Sequence, residues 1–216
     1  MSDHPIYVAI RTGDAAAVER ALAIDPSAAH ARDGEGRTPV LFAAYMRQGE
    51  PLAALLAHIG DLDVFEAAAV GREVRLGALL AADPSLVRAY SADGFTALHL
   101  ACFFSHDAAA RILLDHGADP DAVARNEMRV TPLHSAVAAR SHAAVGALLA
   151  AGADPNTSQQ GGWTALHAAA QHGDRSLVDL LLSAGADASI ANDDDMTAAD
   201  IATDTGHDAI AELLRG

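Results

Sequence analysis

The sequence has few of the residues that would place it in several common protein classes. It has one cysteine, Cys102, so no disulfide can form within the chain, and a reducing compartment suits this composition. Its 14 basic residues stand against 29 acidic ones, for a net charge of −15. We therefore expect no nucleic-acid partner, because phosphate contacts require a basic face. No apolar run approaches the roughly 20 residues that span a bilayer, so we expect no membrane partner either.

Common catalytic signatures are also missing. The chain has no His-Glu-x-x-His motif, no Gly-x-Ser-x-Gly elbow and no phosphate-binding glycine loop. We therefore expect no catalytic residue, no metal site and no cofactor. Met1, Ser2 and Asp3 lead directly into the first repeat without a basic start and an apolar stretch, so we expect no secretory signal and a cytoplasmic location.

A recurring four-residue signature dominates the chain. Thr-Ala-Leu-His or Thr-Pro-Leu-His occurs at 96–99, 131–134 and 164–167, and Gly-Ala-Asp follows each copy. Looser copies occur on both sides, so that seven anchors lie at residues 4, 38, 62, 96, 131, 164 and 197. A leucine eighteen residues after each of the first six anchors keeps the same register. A period in the thirties is typical of an array of stacked units.

Each unit is expected to fold as a helix, a sharp turn, a second helix and an extended connector. The anchor threonine suits an N-cap, since its hydroxyl can accept from an unpaired N–H of the first turn. Pro39 and Pro132 follow at the first helical position, where a missing N–H costs nothing. Glycine often stands nine residues after the anchor, where the chain reverses direction. Arg47, Ser105 and Arg140 replace it in three units, which predicts less favourable turns there.

These motifs and spacings resemble ankyrin repeats over nearly the whole chain, and most closely between residues 94 and 216. The stretch 80–86, Leu-Ala-Ala-Asp-Pro-Ser-Leu, resembles bacterial members, which predicts a bacterial source. The resemblance implies an all-α fold, an ankyrin-repeat α-solenoid of about seven helix-turn-helix units with β-turn fingers. It also implies that each signature histidine bonds with its anchor threonine and ties neighbouring units together. The single domain 1–216 then divides into units near 4–37, 38–61, 62–95, 96–130, 131–163, 164–196 and 197–216.

One interval is irregular. Anchors 38 and 62 are only 24 residues apart, so about ten residues are missing near 57–61, where a finger is expected. The shortened finger either changes the stacking angle between the second and third units or leaves the stacking unbroken. The sequence leaves both alternatives open.

The resemblance places three parts of each unit on the concave side: the residue before the anchor, the residues seven and eight after it, and the finger tip. Most of the few aromatic residues lie there, and aromatic and arginine side chains are the usual anchors of interfaces. The candidate partner-binding residues are Tyr45, Met46, Phe95, Phe103, Phe104, Arg125, Met128, Arg129, Trp163, Gln171 and His172.

A groove across units four to six is the expected recognition face. The small residues Ala138 and Ala139 occupy the matching places of the fifth unit, which predicts a depression between Phe104 and Trp163. A protruding side chain or helix of a partner suits such a depression.

We predict a non-catalytic protein–protein interaction module, an adaptor or an inhibitor, that binds another protein as a monomer. The alternative is a small-ligand or metal-binding protein, or an enzyme, that uses histidines and aspartates near the C-terminal fingers, such as His172 and Asp194. The acidic run 193–195 lacks the ligand spacing and the distal glutamate of a calcium loop. A third possibility is self-association through the alanine-rich convex helices.

Overall fold

A computed structural model describes residues 4–216. These residues contain fourteen α-helices and three short 3₁₀ helices joined by connectors, and no β-strand. Met1, Ser2 and Asp3, on which the expectation of no secretory signal depends, lie outside the described residues. The expected all-α repeat fold is confirmed. The helices are α1 (Pro5–Arg11), α2 (Ala15–Ile24), α3 (Pro39–Tyr45), α4 (Gly49–His58), α5 (Val64–Ala69), α6 (Glu73–Ala82), α7 (Ala97–Phe103), α8 (Asp107–Asp115), α9 (Pro132–Ala138), α10 (His142–Ala150), α11 (Ala165–Gln171), α12 (Arg175–Ser183), α13 (Ala198–Asp204) and α14 (Asp208–Arg215).

The odd-numbered helices form an inner row. Each packs against the even-numbered helix that follows it and against the next inner helix along the chain. An alanine five residues after the anchor lets the inner helices approach closely, because it carries only a methyl group. These alanines are fully buried at Ala43, Ala67, Ala101, Ala136, Ala169 and Ala202.

The signature histidines join consecutive units. The Thr96 hydroxyl lies 2.7 Å from Nδ1 of His99, and the Thr96 backbone N–H donates to the same nitrogen at 3.3 Å. Nε2 therefore carries the proton and donates to the carbonyl oxygen of Val130 at 3.0 Å, just before the next anchor. His134 and His167 repeat this link to the carbonyls of Trp163 and Met196.

Tyr7 makes the equivalent link in the first unit. It stands where the signature has histidine, and its hydroxyl lies 2.7 Å from the carbonyl oxygen of Arg37, the residue before the second anchor. Leu41 occupies this place in the second unit. In the third unit the anchor register gives Phe65, but Glu66 stands three residues after the observed N-cap Asp63. Leu41 instead packs against Ala69 and Leu100, so the contact there is apolar.

The first helix of the third unit begins one residue later than the anchor Leu62 implies. Asp63 is the N-cap of α5: its carboxylate accepts from the Glu66 N–H at 2.8 Å, and the Asp63 N–H donates to the Glu66 carboxylate at 2.9 Å. This reciprocal capping satisfies two N–H groups of the first turn. The Leu62 side chain is buried.

The connectors form five fingers on one side of the inner helices, and each is closed by a backbone hydrogen bond at its base. The closing pairs are Asp33 and Arg37, Ser91 and Phe95, Ala124 and Val130, Gln159 and Trp163, and Asn192 and Met196. Neighbouring fingers also bond to each other, as where the Arg125 N–H donates to the Gly94 carbonyl at 2.8 Å. The fingers therefore form a stacked row.

No finger forms between α4 and α5, which only residues 59–63 connect. The finger at 33–37 consequently lies against the finger at 91–95, where a Cβ on Gly36 would come within 2.5 Å of the Ala92 Cβ. The inner helices α3, α5 and α7 stay packed in sequence. The outer helices α4 and α6 are separated by an open cleft of about 630 Å³, lined by Leu56 and Val74 among others. The shortened connector thus opens the outer layer and leaves the inner layer continuous.

Candidate functional site

A concavity of about 950 Å³ lies between the C-terminal ends of the inner helices and the fingers. It extends from the finger at 33–37 to Gln159. We call it the palm groove. It is lined by Glu35, Arg37, Tyr45, Ala92, Asp93, Phe95, His99, Leu100, Phe103, Arg125, Asn126, Glu127, Met128, Val130, His134, Ser135, Ala138 and Gln159.

Aromatic rings from the second and fourth units meet at one end of the palm groove. The Tyr45 ring centroid lies 6.0 Å from that of Phe103 and 5.2 Å from that of Phe104. The third unit has Ala69 at the equivalent place, and its methyl group leaves room for Tyr45 to reach across. The rings of the second and fourth units therefore contact each other, because Ala69 between them is small.

The middle of the palm groove is apolar and open. Phe103 is 39% exposed and Met128, on the finger opposite, is 48% exposed. Ala138 at the end of α9 lines the groove beside them and adds little bulk. Ala138 therefore lines a depression, but its walls are Phe103 and Met128 and not the predicted Phe104 and Trp163.

Carboxylates surround the Tyr45 end of the palm groove. Arg37 pairs there with Asp33 at 2.8 Å and with Glu35 at 2.9 Å. Asp93 has no ion pair among residues 4–216 and accepts a hydrogen bond from the Ser91 hydroxyl.

The Tyr45 hydroxyl is buried beside the Asp93 carboxylate. Burial and the neighbouring Asp93 carboxylate raise the pKa of Tyr45, so the phenol stays protonated.

The two arginines of the finger at 124–130 are placed differently. The Arg125 guanidinium stacks over the Tyr90 ring, with its carbon 3.9 Å from the ring centroid, and lines the palm groove. Arg129 is exposed, with a φ of +52°, and lies outside the lining. One of the two therefore faces the groove.

The family model described as "Ankyrin repeats (3 copies)" matches residues 64–159 and 138–216. The chain belongs to the ankyrin-repeat family. This ankyrin-repeat chain is 39% identical over 95 residues to "Probable E3 ubiquitin-protein ligase XBOS31" and 46% identical over 79 residues to "E3 ubiquitin-protein ligase XB3", both from Oryza sativa subsp. japonica. The matches cover 44% and 36% of this chain but 21% and 17% of the relatives. The ankyrin-repeat chain thus spans about a fifth of the length of the curated relatives it matches.

The structure brings together only some of the candidate residues predicted for this ankyrin-repeat chain. The palm groove lies over units two to five, displaced from the expected units four to six, because Tyr45 reaches the fourth unit across Ala69. The candidates that line it are Tyr45, Phe95, Phe103, Arg125 and Met128. The candidates outside its lining are Met46, Phe104, Arg129, Trp163, Gln171 and His172.

Local packing explains the two aromatic rings that lie outside the lining. Phe104 is half-buried against the apolar cluster of Leu41, Ala69 and Leu100. Trp163 packs on the signature histidine of the unit that follows it, with 5.7 Å between the ring centroids of Trp163 and His167. Neither ring is free to extend into the palm groove.

Sequence reasoning missed the acidic residues of the palm groove. Glu35, Asp93 and Glu127 lie in or beside the fingers and line the groove. The finger stretches Asp-Gly-Glu-Gly-Arg and Ser-Ala-Asp-Gly-Phe carry the first two, a pattern that also suits solvated turns. The signal in the sequence that could have found these acidic residues is that all three lie in or beside a finger.

The alternative site near the C-terminal fingers is not gathered in one place. His172 follows α11 and lies near Arg140 and Asp174 at the inter-helix turns, whereas Asp194 lies in the finger that precedes α13. The turns and the fingers lie at opposite ends of the inner helices, and an inner helix of seven residues is about 10 Å long. Among residues 4–216, no group of three or more His, Cys, Asp or Glu side chains is placed to hold a metal ion. Within the same residues, no helix is long and apolar enough to cross a lipid bilayer.

Proposed function

We propose that this chain is a non-catalytic protein-binding module that holds a partner protein in the palm groove, as an adaptor or an inhibitor. The exposed apolar surface of Phe103 and Met128, with the half-buried Tyr45 ring beside it, is the observation that carries the proposal. Exposed apolar surface with a polar rim is typical of interaction sites, and aromatic side chains supply most of the binding energy at interfaces. The packed inner helices and bonded fingers need little ordering on association, which favours affinity.

The two rice relatives are named as ubiquitin ligases, a class of enzyme that acts on other proteins. This chain matches only about a fifth of their length. We infer that the shared stretch serves to recognise a protein and that ligase chemistry belongs to the rest of those relatives. An adaptor role for this chain is consistent with that division.

We propose further that the chain acts in the cytoplasm, as a monomer, on a protein and not on nucleic acid. The net charge of −15 opposes binding to phosphate backbones. The fully buried thiol of Cys102 is compatible with a reducing compartment. A bacterial source stays a prediction from the phrasing of residues 80–86.

Two single substitutions, one inside the palm groove and one outside it, test the site. We expect Phe103→Ala to weaken binding of the partner isolated with the wild-type chain by at least about tenfold, as for an interface hot spot. Val74→Ala is the matched control, because Val74 is 90% exposed in the outer cleft. Calorimetric titration gives both affinities, and thermal melting verifies the fold. The palm groove is the wrong site if Phe103→Ala binds within about threefold of the wild type, a difference of about 0.7 kcal/mol.

A further inference from the structure

The Tyr45 end of the palm groove has more negative than positive charge. Glu35 and Asp93 line it and Asp33 lies behind them against Arg37, so three carboxylates stand against the two guanidinium groups of Arg37 and Arg125. Arg37 is engaged by Asp33 and Glu35, which leaves Asp93 without a cation among the described residues. A partly buried carboxylate of this kind favours a positive charge from outside, since screening by water is reduced there.

Aromatic rings border the same end of the groove. The Tyr45 and Phe103 rings lie 6.0 Å apart and both line the groove. Cations bind to aromatic faces within about 6 Å of the ring centroid. The chain already uses this contact twice in the region, with Arg37 at 5.9 Å from the Tyr45 centroid and Arg125 at 3.9 Å from the Tyr90 centroid.

The Tyr45 hydroxyl is a third element. It is buried beside Asp93 and stays protonated, so it can donate to the Asp93 carboxylate. Such a hydrogen bond holds the carboxylate next to the Tyr45 ring.

An apolar site adjoins the acidic end. The side chains of Phe103 and Met128 are exposed there, and the small Ala138 leaves space between them. This site suits an aliphatic or aromatic side chain. The net charge of −15 also attracts a basic partner over a longer range.

Resting on the protein-binding function proposed above, we infer that the partner is a basic protein segment. It inserts an arginine or lysine side chain against Asp93, Glu35 and the Tyr45 ring, and places a neighbouring apolar side chain between Phe103 and Met128. The carboxylates select the charge, and the rings contact the flat or aliphatic part of the cationic side chain.

A displayed library of random peptides, panned on the full chain, is the probe. We expect the enriched peptides to share an arginine or lysine next to an aliphatic or aromatic residue. The best peptide is then synthesised with that cation and with a neutral replacement, citrulline for arginine or glutamine for lysine. Fluorescence anisotropy measures the affinity of both peptides for the wild type and for Asp93→Asn. Glu35→Gln, at an exposed position, is a second variant in case Asp93→Asn fails to fold.

The expected result is a coupled loss. Asp93→Asn weakens the cationic peptide at least about fivefold, leaves the neutral peptide unchanged, and reduces the salt dependence of binding. Asp194→Asn is the control, because Asp194 is exposed in the last finger and outside the palm groove. We expect it to change the affinity less than about twofold, as for a distant surface charge.

Chemical cross-linking gives an independent location. All 14 basic residues of the chain are arginine, so carbodiimide cannot couple its carboxylates to a lysine of its own. With a lysine-bearing peptide, we expect mass spectrometry to find the new amide at Asp93 or Glu35. Coupling confined to other carboxylates overturns the inference.

The outcomes separate this inference from the proposed function. Enriched peptides without a cation, no enrichment of cationic peptides, or equal affinity for wild type and Asp93→Asn overturn the inference. If the enriched peptides, whether or not they carry a cation, still lose affinity with Phe103→Ala, the palm groove stands as the binding site. If the peptides are insensitive to both substitutions, the proposed function of the palm groove fails as well.

Discussion

At the scale of single residues, the buried histidines that join the units make stability depend on pH. Burial lowers the pKa of His99 and His134 to about 4, and it lowers the pKa of His167 as well. An exposed histidine in the unfolded chain titrates near 6.5. Between these values the unfolded state binds more protons, so the free energy of unfolding falls as the pH falls. Burial raises the pKa of Glu66, so proton binding by Glu66 in the folded state opposes the trend set by the histidines.

We predict that the free energy of unfolding in urea is highest above about pH 6.5 and decreases by several kcal/mol on going to pH 4. His134→Gln is expected to flatten the dependence, because it removes one of the titrating groups. His116→Gln serves as the control, since His116 is exposed and bonds only to its own helix. A stability that does not change between pH 6.5 and 4 would contradict the prediction.

At the scale of elements, the turn between inner and outer helix requires a left-handed residue in every unit. Glycine takes this place at Gly13, Gly71, Gly173 and Gly206, with φ between +64° and +79°. Arg47, Ser105 and Arg140 take it elsewhere, at +53°, +59° and +56°. Residues with a Cβ are strained in this region, which agrees with the less favourable turns expected there.

Ser105→Gly is therefore predicted to raise the free energy of unfolding by about 1 kcal/mol, measured in urea at neutral pH. Gly206→Ala is the reciprocal test and is expected to lower it by a similar amount. No atom lies within 4 Å of a Cβ added at Gly206, so backbone strain alone is measured there. A neutral or destabilising Ser105→Gly would show that the serine conformation is not strained.

The sequence predicts the helix pairs well because their signals are local. An anchor threonine caps its own helix, and a glycine nine residues later reverses the chain within the same unit. The third unit is less well predicted because Leu62 lies in the anchor register whereas Asp63 supplies the capping oxygen. The palm groove was predicted least well, since its position depends on contacts between units. Tyr45 belongs to it only because Ala69 is small and the intervening finger is missing.

At the scale of the whole molecule, the joint between the second and third units differs from the joints that follow the signature histidines. Leu41 stands where those units have histidine, so the contact from that place is apolar, and the polar contact across the joint comes from Glu66 beside the Thr38 hydroxyl. The outer helices α4 and α6 also part around an open cleft at this joint. Solenoids are stabilised by contacts between neighbouring units, so a weak joint divides the array into blocks that unfold separately. Leu41 is central here, being 2% exposed within the apolar cluster.

We predict that Leu41→Ala lowers stability by about 2–5 kcal/mol and uncouples the first two units from the rest. Far-ultraviolet circular dichroism reports all helices, whereas the fluorescence of Trp163, the only tryptophan, reports the junction of the fifth and sixth units. In Leu41→Ala, the dichroism is expected to change at lower urea than the fluorescence, because the N-terminal block unfolds first. Leu133→Ala, equally buried in a histidine-linked unit, is expected to lose stability while the two signals stay coincident. Coincident transitions in Leu41→Ala would mean that Tyr45 and the stacked fingers alone keep the two blocks cooperative.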